Sequence, residues 1–164
     1  MDPNWFTSKF VTSGQFLERK KAQKPRKQTV FTNGCFDLLH PGHVDLLWRA
    51  RFLGDELVVG LNSDDSVKRL KGRHRPVNTA RDRAFVLCAL ECTDFVIPFG
   101  EDNPLQLIEI IRPDVLVKGG DWPVEGIVGR ERVEGWGGSV HSLHMLPGYS
   151  TSKLIERIRR LPEL

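Results

Sequence analysis

Long apolar runs are missing from this sequence of 164 residues. Uninterrupted stretches such as Leu57–Val59 and Phe95–Ile97 fall far below the roughly 20 residues of a bilayer-spanning helix. No membrane span and no membrane partner is therefore expected. The start, Met1-Asp2-Pro3-Asn4, lacks a basic region followed by an apolar core and does not read as a secretion signal. Cysteine is scarce. Cys35, Cys88 and Cys92 form an odd set that cannot pair completely within one chain, which fits free thiols in a reducing compartment and a cytoplasmic location. Two phosphate-binding signatures are also absent, because neither G-x-G-x-x-G nor G-x-x-x-x-G-K-[ST] follows a predicted strand. The two commonest phosphate devices are excluded, and no solenoid repeat or long low-complexity segment is present.

What remains is ordinary globular composition, 40% hydrophobic and 27% charged, in a length that suits about one domain. The net charge of +3 is unevenly spread. Residues 1–28 hold seven lysines and arginines against two acids, leaving seventeen against nineteen for the rest. The run Arg19-Lys20-Lys21 and Lys24-Pro25-Arg26-Lys27 is compatible with nucleic-acid binding, but such runs are more often solvated. Residues 1–28 are thus read as a basic leader, in part helical, with no nucleic-acid partner expected, and residues 29–164 as the domain.

Along that domain, β-branched and apolar runs alternate with helical patterns. Strands are predicted at Thr29–Thr32, Glu56–Asn62, Phe95–Pro98, Val115–Lys118 and Ser139–Leu143. Between them, helices are predicted to open at Pro41-Gly42, Ser63-Asp64, Thr79 and Asn103-Pro104. A short helix is predicted near Arg130–Trp136 and a last one from Ser150 or Thr151 to Arg160. Phe85, Val86, Leu87 and Leu90 are the apolar positions expected of the helix after Thr79. This order predicts an α/β fold built on a single doubly wound parallel sheet. In such folds ligands bind beyond the carboxyl ends of the strands, where Gly34, His40, Asn62, Lys118 and the Gly148 loop should converge.

The chemistry concentrates after the first strand, in Thr32-Asn33-Gly34-Cys35-Phe36-Asp37-Leu38-Leu39-His40-Pro41-Gly42-His43. Two histidines three apart at a helix opening share a face where free amides and the helix dipole already favour phosphate. Gly34 and Gly42 would let a phosphate approach the backbone. The set suits stabilising charge, and offers no nucleophile. The segment resembles the H-x-G-H signature of the nucleotidyltransferase superfamily that includes glycerol-3-phosphate cytidylyltransferase. Further motifs follow in order: Asn62-Ser63-Asp64, Arg69-Leu70-Lys71-Gly72, Arg75-Pro76-Val77, Val117-Lys118-Gly119-Gly120-Asp121 and Gly148-Tyr149-Ser150-Thr151-Ser152-Lys153. Together they most resemble the cytidylyltransferase-like adenylyltransferases of bacterial heptose 1-phosphate.

That resemblance implies transfer of an adenylyl group from ATP to D-glycero-D-manno-heptose 1-phosphate, giving ADP-heptose and pyrophosphate for lipopolysaccharide precursors. Cytidylyl transfer to glycerol 3-phosphate is the alternative within the class. It implies His40, His43 and Lys71 as catalytic groups. Asn33, Gly34, Cys35, Phe36, His40, Gly42, His43, Lys118, Gly119, Gly148, Ser150 and Thr151 would bind nucleotide. Asp37, Asn62, Lys71, Arg83, Lys118 and Asp121 would bind the sugar phosphate. Lys71 would act as a mobile cation, Asp37 would orient the sugar or a histidine, and Arg83 would support the phosphate site. Mg²⁺ held mainly by the triphosphate is expected, with no protein metal ligands. Relatives commonly pair, so a homodimer is expected, and the residues present read as the transferase without a sugar-kinase domain. Cys35 departs from the small hydroxyl residue of many relatives. Trp122 reads as a packing residue. A zinc module built from Cys35, Asp37, His40 and His43 is the rival from another class, but the spacing fits no common zinc pattern.

Overall fold

The computed structural model describes residues 4–162. Met1–Pro3, on which the reading of the start partly rests, and residues 163–164 lie outside it. Five strands form one sheet: β1 (Thr29–Gly34), β2 (Glu56–Asn62), β3 (Phe95–Phe99), β4 (Val115–Gly119) and β5 (Ser139–Leu143). The order is β3-β2-β1-β4-β5 and every pairing is parallel. The chain leaves β1 for β2 on one side and returns to β4 on the other, so the strand order reverses beside β1. A crevice opens at such a reversal.

Alternation along the strands sends successive side chains to opposite faces. Val30, Leu57, Val59, Leu61, Val96, Val115 and Val117 pack on one side with helices α3 (Pro41–Arg51) and α5 (Ala80–Ala89). Phe31, Val58, Ile97 and Leu116 pack on the other with α6 (Leu105–Ile111) and α7 (Arg130–Gly135). All seven residues of β2 are buried, as its near-continuous apolar run predicts for a strand covered on both faces. Thr79 caps α5 by accepting from the Asp82 amide, and Ser63 caps α4 (Asp64–Lys71) by accepting from Ser66. The helix α4 runs on through Leu70 and Lys71, the stretch expected to be loose, and stops at Gly72 with φ 92°. Basic residues in its last turn suit the negative end of the helix dipole.

The stretch read as a basic leader, in part helical, does form helices, α1 (Asn4–Lys9) and α2 (Ser13–Ala22), but they pack on the body instead of standing in solvent. Thr12 and Gln15 form a reciprocal capping box at the start of α2. Phe10 bridges to Val96, covering the free edge of β3 and carrying the chain from one face of the sheet to the other. Phe6 joins the first cluster, and Val11 and Phe16 the second. This explains a second departure from expectation. Phe85 and Val86 point away from the sheet while Arg83, Ala84, Leu87 and Cys88 face it, and Phe85 meets Trp5 and Phe6 at ring centroid distances of 5.0 and 5.2 Å. The basic side chains are also held: Lys9 donates to the Leu90 and Thr93 carbonyls, Lys20 to those of Ile111 and Arg112, and Arg26 pairs with Asp114. Among the described residues no helix is long and apolar enough to cross a membrane. All three cysteines are free thiols, Cys88 and Cys92 buried.

Candidate active site

A cavity of about 670 Å³ lies across the carboxyl ends of the strands, within the range of small-ligand sites. The turn after β1 forms its floor. Gly34 lies close against it, and a Cβ would stand 3.0 Å from the Phe36 ring, which would have to shift. Phe36 itself has φ 45°, a left-handed conformation unusual for a bulky residue and held by its burial. The strained turn delivers Asp37 inward and sets His40 as the N-cap of α3, with Pro41 in the first helical position. His40 makes no side-chain capping bond, so its ring is free for other work.

The two histidine rings stack, centroids 3.8 Å apart and planes 17° from parallel, with Phe36 against His43 at 5.2 Å. Both Nδ1 atoms are buried without a partner among the described residues. The Nε2 atoms are neither sealed nor bonded, and both residues line the cavity. Burial, then the neighbouring His40, push the His43 pKa down to about 4, and burial lowers that of His40. Both imidazoles are therefore neutral at pH 7, a pair of donors and acceptors without net charge. Gly42 is buried, and a Cβ there would crowd the His40 ring at 3.2 Å and the Tyr149 Cβ at 3.3 Å. It lets the histidine fold over the helix start and the last loop close on it.

Asn33, Gly34, Cys35, Phe36, Asp37, Asn62, Lys71, Lys118, Gly119, Ser150 and Thr151 also line the cavity. The Lys118 ammonium lies 3.5 Å from the Asn33 side-chain oxygen, and burial lowers its pKa. Burial raises the Cys35 thiol pKa against the opposing fields of Lys71, Arg83 and Arg75. Ser150 caps α8 (Thr151–Arg159) by accepting from the Lys153 amide at 3.1 Å, which leaves its hydroxyl proton to donate elsewhere. Gly148, at φ 89°, turns the chain into this helix without itself lining the cavity.

Arg83 and Asp121 stand apart. Arg83 is 2% exposed. Its guanidinium donates to the carbonyls of Cys35, Asn62 and Asn78 and pairs with Asp64 at 2.7 Å. It ties the ends of β1 and β2 to the starts of α4 and α5, supporting the cavity from behind. Asp121 is exposed and pairs with the exposed His144. Asp37 lines the cavity, but its carboxylate is occupied by the amides of Val77 at 2.8 Å and Asn78 at 3.0 Å and by Arg75. Burial alone would raise its pKa, yet these hydrogen bonds outweigh it and hold the carboxyl below its usual range.

Sequence reasoning passed over Arg75, Asp102, Asn103, Ile127 and Met145 as lining residues, and read Trp122 as packing although its exposed indole forms part of the wall. The R-P-V motif was the available signal for Arg75. Among the described residues no three His, Cys, Asp or Glu side chains are grouped to hold a metal ion.

The comparisons agree with this geometry. Residues 31–157 match the cytidylyltransferase-like family. The bifunctional protein HldE of Citrifermentans bemidjiense is 58% identical over 132 residues, 80% of this chain and 27% of that protein. Across such curated relatives the chain spans about 27–31% of their length. A lipopolysaccharide core biosynthesis protein from Thermoplasma volcanium superposes with a TM-score of 0.60 at 27% identity, over 73% of this chain and 97% of that one. A pantoate-beta-alanine ligase from Francisella tularensis, 12% identical with a TM-score of 0.57 over 92% of this chain and 77% of that one, shares the fold. The chain thus belongs to the cytidylyltransferase-like family of nucleotidyltransferases.

Proposed function

We propose that this chain transfers an adenylyl group from ATP to D-glycero-D-manno-heptose 1-phosphate, releasing pyrophosphate and making ADP-heptose for lipopolysaccharide precursors. The observation that carries the reading is the stacked pair His40 and His43 at the opening of α3, facing a cavity that also holds Lys71, Lys118 and the start of α8. The heptose part rests on the ordered motifs, and the kinship with a lipopolysaccharide core biosynthesis protein supports its pathway.

In this reaction an oxygen of the acceptor phosphate attacks the α-phosphorus in line. A new O–P bond forms as the bond to the β-phosphate oxygen breaks, and pyrophosphate leaves. No group of the protein needs to become covalently attached. The neutral imidazoles aim accessible Nε2 atoms at the phosphates, and the helix openings of α3 and α8 favour anions. Lys118 supplies charge from the end of β4 and Lys71 from the end of α4. The site suits a magnesium ion that arrives on the triphosphate: Asp37 is occupied by Arg75 and Asp102 by Arg69 at 2.7 Å, so the carboxylates lining the cavity are already engaged. Such an ion would supply charge neutralisation to the departing pyrophosphate when bound.

The reaction is proposed to run in the cytoplasm and in a homodimer. A shallow apolar groove beside the site, formed by Leu39, Pro41, Val44, Trp48, Val86, Leu90 and Leu146, offers a surface for a second copy.

Pyrophosphate release tests the reading, with ATP or CTP crossed against heptose 1-phosphate or glycerol 3-phosphate. ATP with heptose 1-phosphate should be the best pair; CTP with glycerol 3-phosphate as the best pair would replace the reading with its alternative. His43→Ala should lower kcat about 100-fold or more, as loss of a well-aimed donor does, with an unchanged circular dichroism spectrum. Near-normal turnover in that variant defeats the assignment.

A further inference from the structure

Three cationic side chains line the cavity without serving the frame alone, and they lie at different strand ends. Lys118 stands near the end of β4. Lys71 ends α4 and Arg75 lies in the stretch between α4 and α5, after β2 in the chain. The sheet order therefore puts these cations on segments that leave different strands, Lys118 on β4 and Lys71 with Arg75 after β2. A reaction joining a triphosphate to a second phosphate needs such a division, because two polyanions must be held side by side against their mutual repulsion.

Arg75 is built for this. Its side chain is 17% exposed, and the Asp37 side chain that it meets is fully buried. Only Nε engages Asp37; the two terminal nitrogens make no hydrogen bond among the described residues. Asp37 in turn takes the amides of Val77 and Asn78, and its backbone carbonyl accepts from the Asn78 side chain at 3.0 Å. The carboxylate thus fixes the stem of the guanidinium and leaves its two-pronged end for an oxyanion, the geometry that suits a phosphate.

We infer that Arg75 holds the phosphomonoester of the acceptor, with Asp37 as its positioning residue. The inference rests on the proposed transfer reaction, but the Arg75 anion site can be tested without turnover. Calorimetric titrations with heptose 1-phosphate and with inorganic phosphate are made on the full chain, loaded with a non-hydrolysable ATP analogue. Arg75→Ala should weaken both phosphates at least tenfold while the affinity for the analogue stays within twofold. Arg75→Lys, which keeps the charge and loses the fork, should also weaken them and covers the case in which the alanine variant does not fold. Asp37→Asn should raise the acceptor KM more than the KM for ATP, and Asp37→Glu should restore part of the loss.

Wild-type acceptor affinity in the Arg75 variants overturns the inference, as does an equal loss of the ATP analogue. Binding of inorganic phosphate that depends on Arg75, without binding of heptose 1-phosphate, keeps the anion site and removes the heptose reading. Binding of neither phosphate by the wild-type protein overturns both.

Discussion

The two ends of the described chain are both basic and helical, yet they do opposite things. The N-terminal pair α1 and α2 buries Phe6 and Phe16, covers the open edge of β3 and bonds its lysines to carbonyls of the body. The C-terminal α8 buries none of its residues, and Ile158 is 52% exposed. Its first residues line the cavity instead. Equal charge therefore says little about role. A basic helix becomes scaffold when it brings apolar anchors, and stays at a site when its apolar side has no cover and its start meets a ligand.

Phe16→Ala tests the scaffold half of this contrast and carries the largest expected effect. The ring is 1% exposed and packs edge-on to Phe95 at 5.3 Å. Removing a buried phenylalanine typically costs about 3–5 kcal/mol, so chemical denaturation should show a lower midpoint with an unchanged slope. A loss below about 1 kcal/mol would mean that the segment is a leader after all, as its composition suggests.

That composition misleads for a physical reason. Trp5-Phe6, Phe10-Val11 and Phe16-Leu17 are isolated apolar pairs in a basic, polar stretch, and the partners Phe85, Val96 and Phe95 are far along the chain. The domain proper was more legible. Glu56–Asn62 and Ser139–Leu143 have the predicted bounds because each is a β-compatible run closed by turn residues. At the site, the H-x-G-H segment was legible because its geometry is local, two histidines on one turn of helix. The Arg75–Asp37 pair was not, because the partners stand 38 positions apart and only the turn at Phe36 brings them together. Arg83 shows the same limit: the resemblance implied a phosphate role for it, and the four groups that occupy it come from three separate segments.

A smaller effect separates charge from anchor within the scaffold itself. Lys20 donates to the Ile111 carbonyl at 3.1 Å and the Arg112 carbonyl at 3.3 Å, where α6 ends in a left-handed residue with φ 48°. Lys20→Met keeps the apolar stem and removes the cation from the negative end of the helix. A loss of about 1 kcal/mol is expected by thermal unfolding. A cost equal to that of Phe16→Ala would show that the basic run, rather than the aromatic anchors, holds α2 in place.

The smallest change in stability should come from α8. Ile158→Ser replaces an exposed apolar group, and such substitutions usually stay within about 0.5 kcal/mol, so its melting temperature should match the parent's. Ser150→Ala removes the cap and the hydroxyl together: about 1 kcal/mol of helix stability goes, and the KM for nucleotide should rise severalfold because the cap faces the cavity. The pair of variants therefore splits folding from binding within one helix. If Ile158→Ser instead cost several kcal/mol, and the cost grew with protein concentration, the apolar side of α8 would be covered by a second copy. Both ends of the chain would then be scaffold, one within the subunit and one between subunits.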